Sequence, residues 1–316
     1  MMTDKEKYII FCKENENIPL FYQPEWLDVV TNCCWDIVNF LDGEGVIRAY
    51  MPVTIKKKWG VKVFSNPVLS PHQGIFFPKN QDFLSEQKKQ SFLFKAMNDI
   101  IPKIPSFHLF KVRFHPSFDM WLPFYFKGFR QTTYYTYQLH DIKNHEMVFA
   151  GFKSNRKNII RNAKKTIKIE KGSEIETLYR LLLQTFDKKN VKPPFQFEIL
   201  KKLEETLKDR REILLAKDEK NRVVAGMYLV YDGEQAYNLL FGTDFRYTDS
   251  GAPSLLMWEA IKIASERVDT FDFEGSRLPT IQPFFQSFGG KPVPYYEISK
   301  TKNIFWQTAL LLFNKR

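Results

Sequence analysis

Cysteine and histidine are scarce in this chain. The three cysteines, Cys12, Cys33 and Cys34, form no CxxC pair and leave an odd thiol, which argues against a disulfide framework or a zinc site. The five histidines are scattered with no HxxxH pair, so no metal is expected. No stretch approaches the roughly 20 apolar residues that a membrane-spanning helix needs. The opening MMTDKEKYII has too short an apolar run for a secretory signal. A reducing, cytoplasmic setting is the expectation.

Positive charge and aromatic mass are what the chain has. Lys and Arg number 47 against 36 Asp and Glu, a formal net charge of +11. That balance favours anionic partners, whether nucleic acid, nucleotides, phosphorylated lipids or an acidic membrane face. Aromatics at 16% within a 44% hydrophobic content supply a real core. The 316 residues suffice for two ordinary domains.

The second half reads most clearly. EILLAK (212–217), VVAGMYLV (223–230) and QAYNLLFG (235–242) predict an antiparallel meander, its second turn marked by Asp232-Gly233. Apolar residues at 255, 256, 260, 261 and 264 predict a helix over 253–268, opened by Pro253. TFDFEG (270–275) reads as a strand parallel to the meander's last one. A short helix near 280–288 stops at Gly289-Gly290, and PVPYYEIS (292–299) is a final strand. Upstream, 172–186 and 195–209 read as helices. The first half repeats this order: strands 35–40, 46–55 and 61–65, a helix near 82–100, a strand at 107–114, a short aromatic helix at 117–127 and a strand at 131–139. The expectation is a whole domain in tandem.

Three stretches carry a family resemblance. SNRKNIIRNAKK (154–165), APSLLMWEAIKIASE (252–266) and DFEGSRLPTIQPFFQSFGG (272–290) resemble the second domain of the FemABX aminoacyltransferases, which are built on the GCN5-related N-acetyltransferase (GNAT) fold. The resemblance implies an α/β (α+β) class. It implies two tandem GNAT-like domains, 1–145 and 146–316, with mixed, largely antiparallel sheets flanked by helices. It also implies transfer of an acyl or aminoacyl group to an amine. The donor would be a co-substrate, acyl-CoA or aminoacyl-tRNA, with no permanently bound cofactor. In the FemABX branch the acceptor is a peptidoglycan precursor.

On that footing Glu274 and Asp272 are the catalytic candidates. They alternate on a strand that is otherwise apolar, so both are expected on one face, with Glu274 at the strand end. Gly275, Ser276 and Arg277 follow as substrate-binding candidates, together with Arg156 and Arg161 of the basic stretch. The donor loop supplies Phe241, Gly242, Thr243, Arg246, Gly251, Ala252 and Ser254. Helix-start amides there hold pyrophosphate in acetyl-CoA enzymes. In this chain Asp249 replaces the loop's middle glycine, which disfavours a pyrophosphate. The better-known peptidyltransferases carry a lysine where Phe285 stands, before Gln286, with Lys291 the nearest substitute; Phe284, Phe285 and Phe288 read as core. Lys157, Arg161, Lys164 and Lys168 are expected along one face of a helix, as a phosphate or tRNA contact or a solvated face. The tail 303–316, apolar with a basic end, suits docking on the protein's own core or peripheral contact with the inner membrane face. The alternative to an enzyme is a non-catalytic GNAT-fold module that binds a nucleotide-sugar or RNA.

Overall fold

The computed structural model describes residues 2–15, 17–58, 60–78, 83, 85–187, 191–275 and 281–302. The first half builds α1 (Asp4–Glu14), α2 (Pro24–Thr31), β1 (Asp36–Leu41), β2 (Ile47–Val53), β3 (Ile55–Lys58), β4 (Val61–Ser65), α3 (Glu86–Lys103), β5 (Leu109–Arg113), α4 (Leu122–Phe126) and β6 (Arg130–His140). The second half builds α5 (His145–Ala150), α6 (Ser154–Ala163), β7 (Ile167–Gly172), α7 (Ile175–Asp187), α8 (Phe197–Leu207), β8 (Arg211–Asp218), β9 (Val223–Tyr231) and β10 (Gln235–Thr243). After these come α9 (Ala252–Ser265), β11 (Thr270–Asp272), α10 (Gln282–Ser287) and β12 (Lys291–Thr301).

These elements gather into two compact units. One holds the chain as far as Tyr134 together with the segment from Pro294; the other runs from Tyr135 to Val293. In the first unit, β1 and β2 form an antiparallel hairpin. Its turn is tied by Asp42 Oδ1, which accepts the Glu44 and Val46 N–H groups. A separate sheet pairs β3 with β4 antiparallel, β4 with β5 parallel and β5 with β12 antiparallel. Phenylalanines fill the core beneath, with Phe110, Phe114, Phe124 and Phe129 in edge-on or tilted contact.

In the second unit the strand order is β6-β11-β10-β9-β8-β7. Only the β10–β11 pair is parallel. Alternation along β9 sorts its two faces. Met227, Leu229 and Tyr231 join the cluster around α9. Gly226 turns the other way, where a Cβ would stand 2.9 Å from Leu178 of α7. The helix α9 is apolar almost all round because it is covered twice, by the sheet and by α6.

The expected recurrence is present. Both β4–α3–β5 and β10–α9–β11 are strand–helix–parallel strand connections, each followed by a short helix and a long strand. The long strands are exchanged: β6 pairs with β11 and β12 with β5. Each unit thus takes its closing strand from the other repeat.

Four local readings need correction. The strand expected over 46–55 breaks at Thr54, whose hydroxyl donates to Ser65 O at 2.7 Å instead of leaving the backbone in one ladder. The strand expected over 270–275 ends at Asp272. The basic helix ends at Ala163, so Lys168 lies on β7, 2.8 Å from Glu170 and off the helical face. Finally α1, α2, α5 and β7 had no counterpart in the sequence reading.

Candidate active site

In the second unit β10 and β11 run side by side for only three residue pairs, Gln235–Thr270 to Tyr237–Asp272. Beyond them β10 continues paired with β9 but without β11 on its other side. A bulge interrupts β10 at the same place: Asn238 faces Leu229 and Leu240 faces Tyr228, so Leu239 is an extra residue. The extra residue reverses the alternation. Asn238 before the bulge and Phe241 and Thr243 after it therefore line one cavity, of about 860 Å³. The opposite walls come from α6, the start of α9 and the α10 region.

One charged group is fixed in this wall. Arg156 Nε donates to Ser287 Oγ at 2.8 Å and its Nη1 donates to Ser254 Oγ. Its guanidinium stacks over Phe284 (4.5 Å) and Phe288 (5.1 Å). Partial burial lowers its pKa from the ordinary arginine value, and an arginine so placed stays charged. Two polar side chains reach the cavity without full satisfaction. Asn238 is 7% exposed, and its Oδ1 and Gln184 Oε1 have no hydrogen-bond partner among the described residues. A buried acceptor left open is expensive unless a ligand or water meets it.

Residues 153–279 match the family model of the acetyltransferase (GNAT) domain. The second unit carries a GNAT domain. Solved structures extend the likeness to the whole chain. FemX superposes with a TM-score of 0.64 at 14% identity, over 94% of this chain and 96% of its own. L-PGS from Bacillus licheniformis gives 0.53 at 13% identity, over 99% and 97%. A tandem GNAT protein from the clavulanic acid biosynthesis pathway gives 0.50 at 7% identity, over 88% and 94%. At such identities the likeness is one of fold: the chain is FemABX-like, with GNAT-type repeats in tandem. A search of curated protein sequences finds no match.

The GNAT cavity gathers part of the residues expected from sequence. Arg156, Phe241, Thr243, Gly251 and Ser254 line it, as do Phe284 and Phe285. Gly242 faces α7 instead, where a Cβ would stand 2.9 Å from the Leu181 carbonyl carbon, so its smallness serves packing. Arg246 clamps Asp244 with both ends of its fork, at 3.0 and 2.6 Å, and does not line the cavity. Arg161 lines a different hollow. Gly275 is exposed, and Ser276 and Arg277 lie outside the described residues. Lys291 is exposed at the start of β12.

Three successive positions at the start of α9 have no N–H free for a pyrophosphate. Ala252 is fully buried and its N–H donates to Ser250 Oγ at 3.2 Å. Pro253 has no N–H, and the Ser254 N–H goes to Gly251 O at 3.0 Å. Asp249 puts a carboxylate in the cavity wall. Gly251 holds a left-handed φ of 79°, where a Cβ would meet Ala163 of α6 at 2.9 Å. Its glycine lets α9 begin close against α6.

The two acids do not alternate on one strand face, and neither is among the residues that line the cavity. Asp272 is the last residue of β11 and is fully buried. Its carboxylate accepts from Thr136 Oγ1 (2.5 Å), Gln138 Nε2 (2.9 Å) and the Glu274 N–H (2.8 Å). The network continues through Gln138 to Gln235, from Gln235 to the Tyr237 hydroxyl, and from that hydroxyl to Asp232. Burial pushes Asp272 up to about 6 in spite of those hydrogen bonds, and the Asp232 charge adds to the rise. Glu274 stands past the strand end with φ 63°, a left-handed backbone that Asp272 holds through its N–H. Sequence reasoning missed Asn238 and Gln184. The first left a signal, a lone amide in the apolar run QAYNLLFG.

Proposed function

We propose that the chain transfers an acyl group, in particular an aminoacyl group held as an ester, to an amine, with the donor carbonyl in the GNAT cavity. The observation that supports this best is the pairing, in one cavity, of a rigidly bridged guanidinium with a buried amide whose oxygen is open. In the reaction the neutral amine nitrogen attacks the carbonyl carbon. A C–N bond forms, the carbonyl oxygen takes the negative charge, and collapse breaks the C–O ester bond. The proton lost by the amine ends on the departing alcohol. Arg156 supplies fixed positive charge for the oxyanion. Asn238 Oδ1 accepts an N–H of the incoming amine, and the proposed proton relay is Glu274, whose backbone N–H is held by Asp272 just past the end of β11.

The donor loop favours an aminoacyl ester over an acyl-CoA. Its amides at Ser250, Ala252 and Ser254 are engaged within the chain and Asp249 opposes a pyrophosphate, whereas the same carboxylate suits the ammonium of an aminoacyl group. The resemblance to FemABX proteins points to aminoacyl-tRNA as the carrier. Among the described residues no helix is long and apolar enough to cross a membrane. The membrane contact expected of 303–316 lies outside them.

Trapping with hydroxylamine tests the proposal without knowledge of the natural amine, because it converts a bound acyl ester or thioester to a hydroxamate. Aminoacyl-tRNA should give hydroxamate well above the protein-free rate, and acyl-CoAs should not. Glu274→Gln should lower the rate by about a hundredfold while donor-induced thermal stabilisation persists. Unchanged turnover in Glu274→Gln removes that residue from the mechanism. Stabilisation by RNA or a nucleotide-sugar with no turnover from any donor would make the chain a binding module.

A further inference from the structure

A second hollow, of about 680 Å³, lies in the same unit on the other side of α6 and α9. The two helices divide their faces between the two spaces. Arg156 and Ile159 of α6 and Ser254 and Met257 of α9 face the active-site cavity. Lys157, Arg161 and Lys164 of α6 and Trp258 and Lys262 of α9 face the hollow. The two spaces are therefore about one helix diameter apart, on the order of 10 Å.

The chemistry of the hollow differs from that of the cavity. Four cations line it, with Glu146 the one carboxylate among its lining residues. Lys164 and Lys262 share Glu259. Neither Lys157 nor Arg161 has a carboxylate within ion-pair distance among the described residues. Lys157 donates to the Ala150 carbonyl at 2.7 Å, and the Arg161 guanidinium rests 5.6 Å from the Phe149 ring centroid. Phe149 and Trp258, with ring centroids 5.4 Å apart, form an aromatic floor; Trp258 is buried with Lys262 over its ring, so the half-buried Phe149 ring is the part of the floor a base can reach. Trp258 is stiffened from the side by the edge-on ring of His145, whose Nε2 is 2.6 Å from Ser265 Oγ.

We propose that this hollow binds single-stranded RNA, the lysines and Arg161 meeting phosphates and the aromatic floor meeting a base. The inference rests on the proposed aminoacyl-tRNA donor: it gives the nucleic-acid part of that donor a site beside the cavity that takes its acyl end. Phosphate oxygens take charge-assisted hydrogen bonds from Arg and Lys, and bases of any identity stack on aromatic faces. A recessed, ring-floored hollow suits a strand, whereas a lipid surface is met by an apolar face that projects.

Fluorescence anisotropy of a labelled single-stranded oligoribonucleotide with the full chain tests this. Binding should weaken steeply with salt. The double variant Arg161→Glu, Lys164→Glu should bind at least about tenfold more weakly, and its salt slope should be shallower by about 1.4, about 0.7 for each lost phosphate contact on a single strand. Arg161→Lys should keep most of the affinity, and thermal melting verifies that each variant is folded. Equal affinity of the double variant and the parent overturns the proposal. So does the absence of RNA binding by the parent, or binding only to phosphatidylcholine vesicles doped with phosphatidylglycerol. The measurement needs no turnover, so RNA binding through the hollow without hydroxamate formation would defeat the proposed function and uphold this inference.

Discussion

Replacing Asp272 by asparagine should change how stability depends on pH, in a direction the buried network fixes. The carboxyl is fully enclosed, and its pKa rises from the ordinary 3.8 to about 6 because burial outweighs three hydrogen bonds. A raised acid binds its proton more tightly when folded. Its contribution to stability is therefore complete below the unfolded pKa and is lost as pH rises through about 6. About two pH units at 1.36 kcal/mol each give about 3 kcal/mol in all, of which about 2 kcal/mol should appear between about pH 7.5 and about pH 4.5. The asparagine variant has no such proton. It also turns an amide toward Gln138 Nε2, which adds a cost that does not vary with pH. Urea unfolding of both proteins across that range isolates the effect, since other titrating groups cancel in the difference. The wild type should gain on the variant by about 2 kcal/mol on acidification. Parallel curves would mean that Asp272 ionises as an exposed acid does, and the network that holds Glu274 would have to be abandoned.

Two further outcomes test the packing of the site. Gly242→Ala should destabilise by about 1–3 kcal/mol in urea, because its Cβ would press on the Leu181 backbone rather than on a side chain that can move. Arg156→Lys keeps the charge but not the fork that reaches both Ser254 and Ser287, so the hydroxamate rate should fall about tenfold or more with little change in the thermal midpoint.

The elements legible from sequence are those whose burial has a period. The helix α7 shows a clean stripe of Ile175, Leu178, Leu181 and Leu182, and β8, β9 and β10 show runs bounded by turn residues. By contrast α1 escaped notice because Tyr8 is its one buried residue, although Thr3 and Glu6 form a capping box at its start. The break between β2 and β3 was hidden since Thr54 is as good a strand residue as its neighbours. The site was legible in part for a different reason. Arg156 could be named by resemblance, yet what fixes it are serines 98 and 131 residues away. Likewise the burial of Asp272 depends on Thr136 and Gln138 of β6, a strand no local pattern connects to DFEGS. A bulge is a property of the ladder between two strands, and nothing in QAYNLLFG alone tells that Leu239 will be the residue left over.

That leftover residue makes the cavity wall depend on the register of one strand. Any substitution at a cavity position alters a single side chain. If Leu239 instead took a place in the ladder opposite Tyr228, every later residue of β10 would shift by one: Phe241 and Thr243 would turn away toward α7, and Leu240 and Gly242 would take their places in the cavity. A chain shortened by Leu239 should then keep Asn238, Phe241 and Thr243 facing the cavity and lose only the local bend of the bulge.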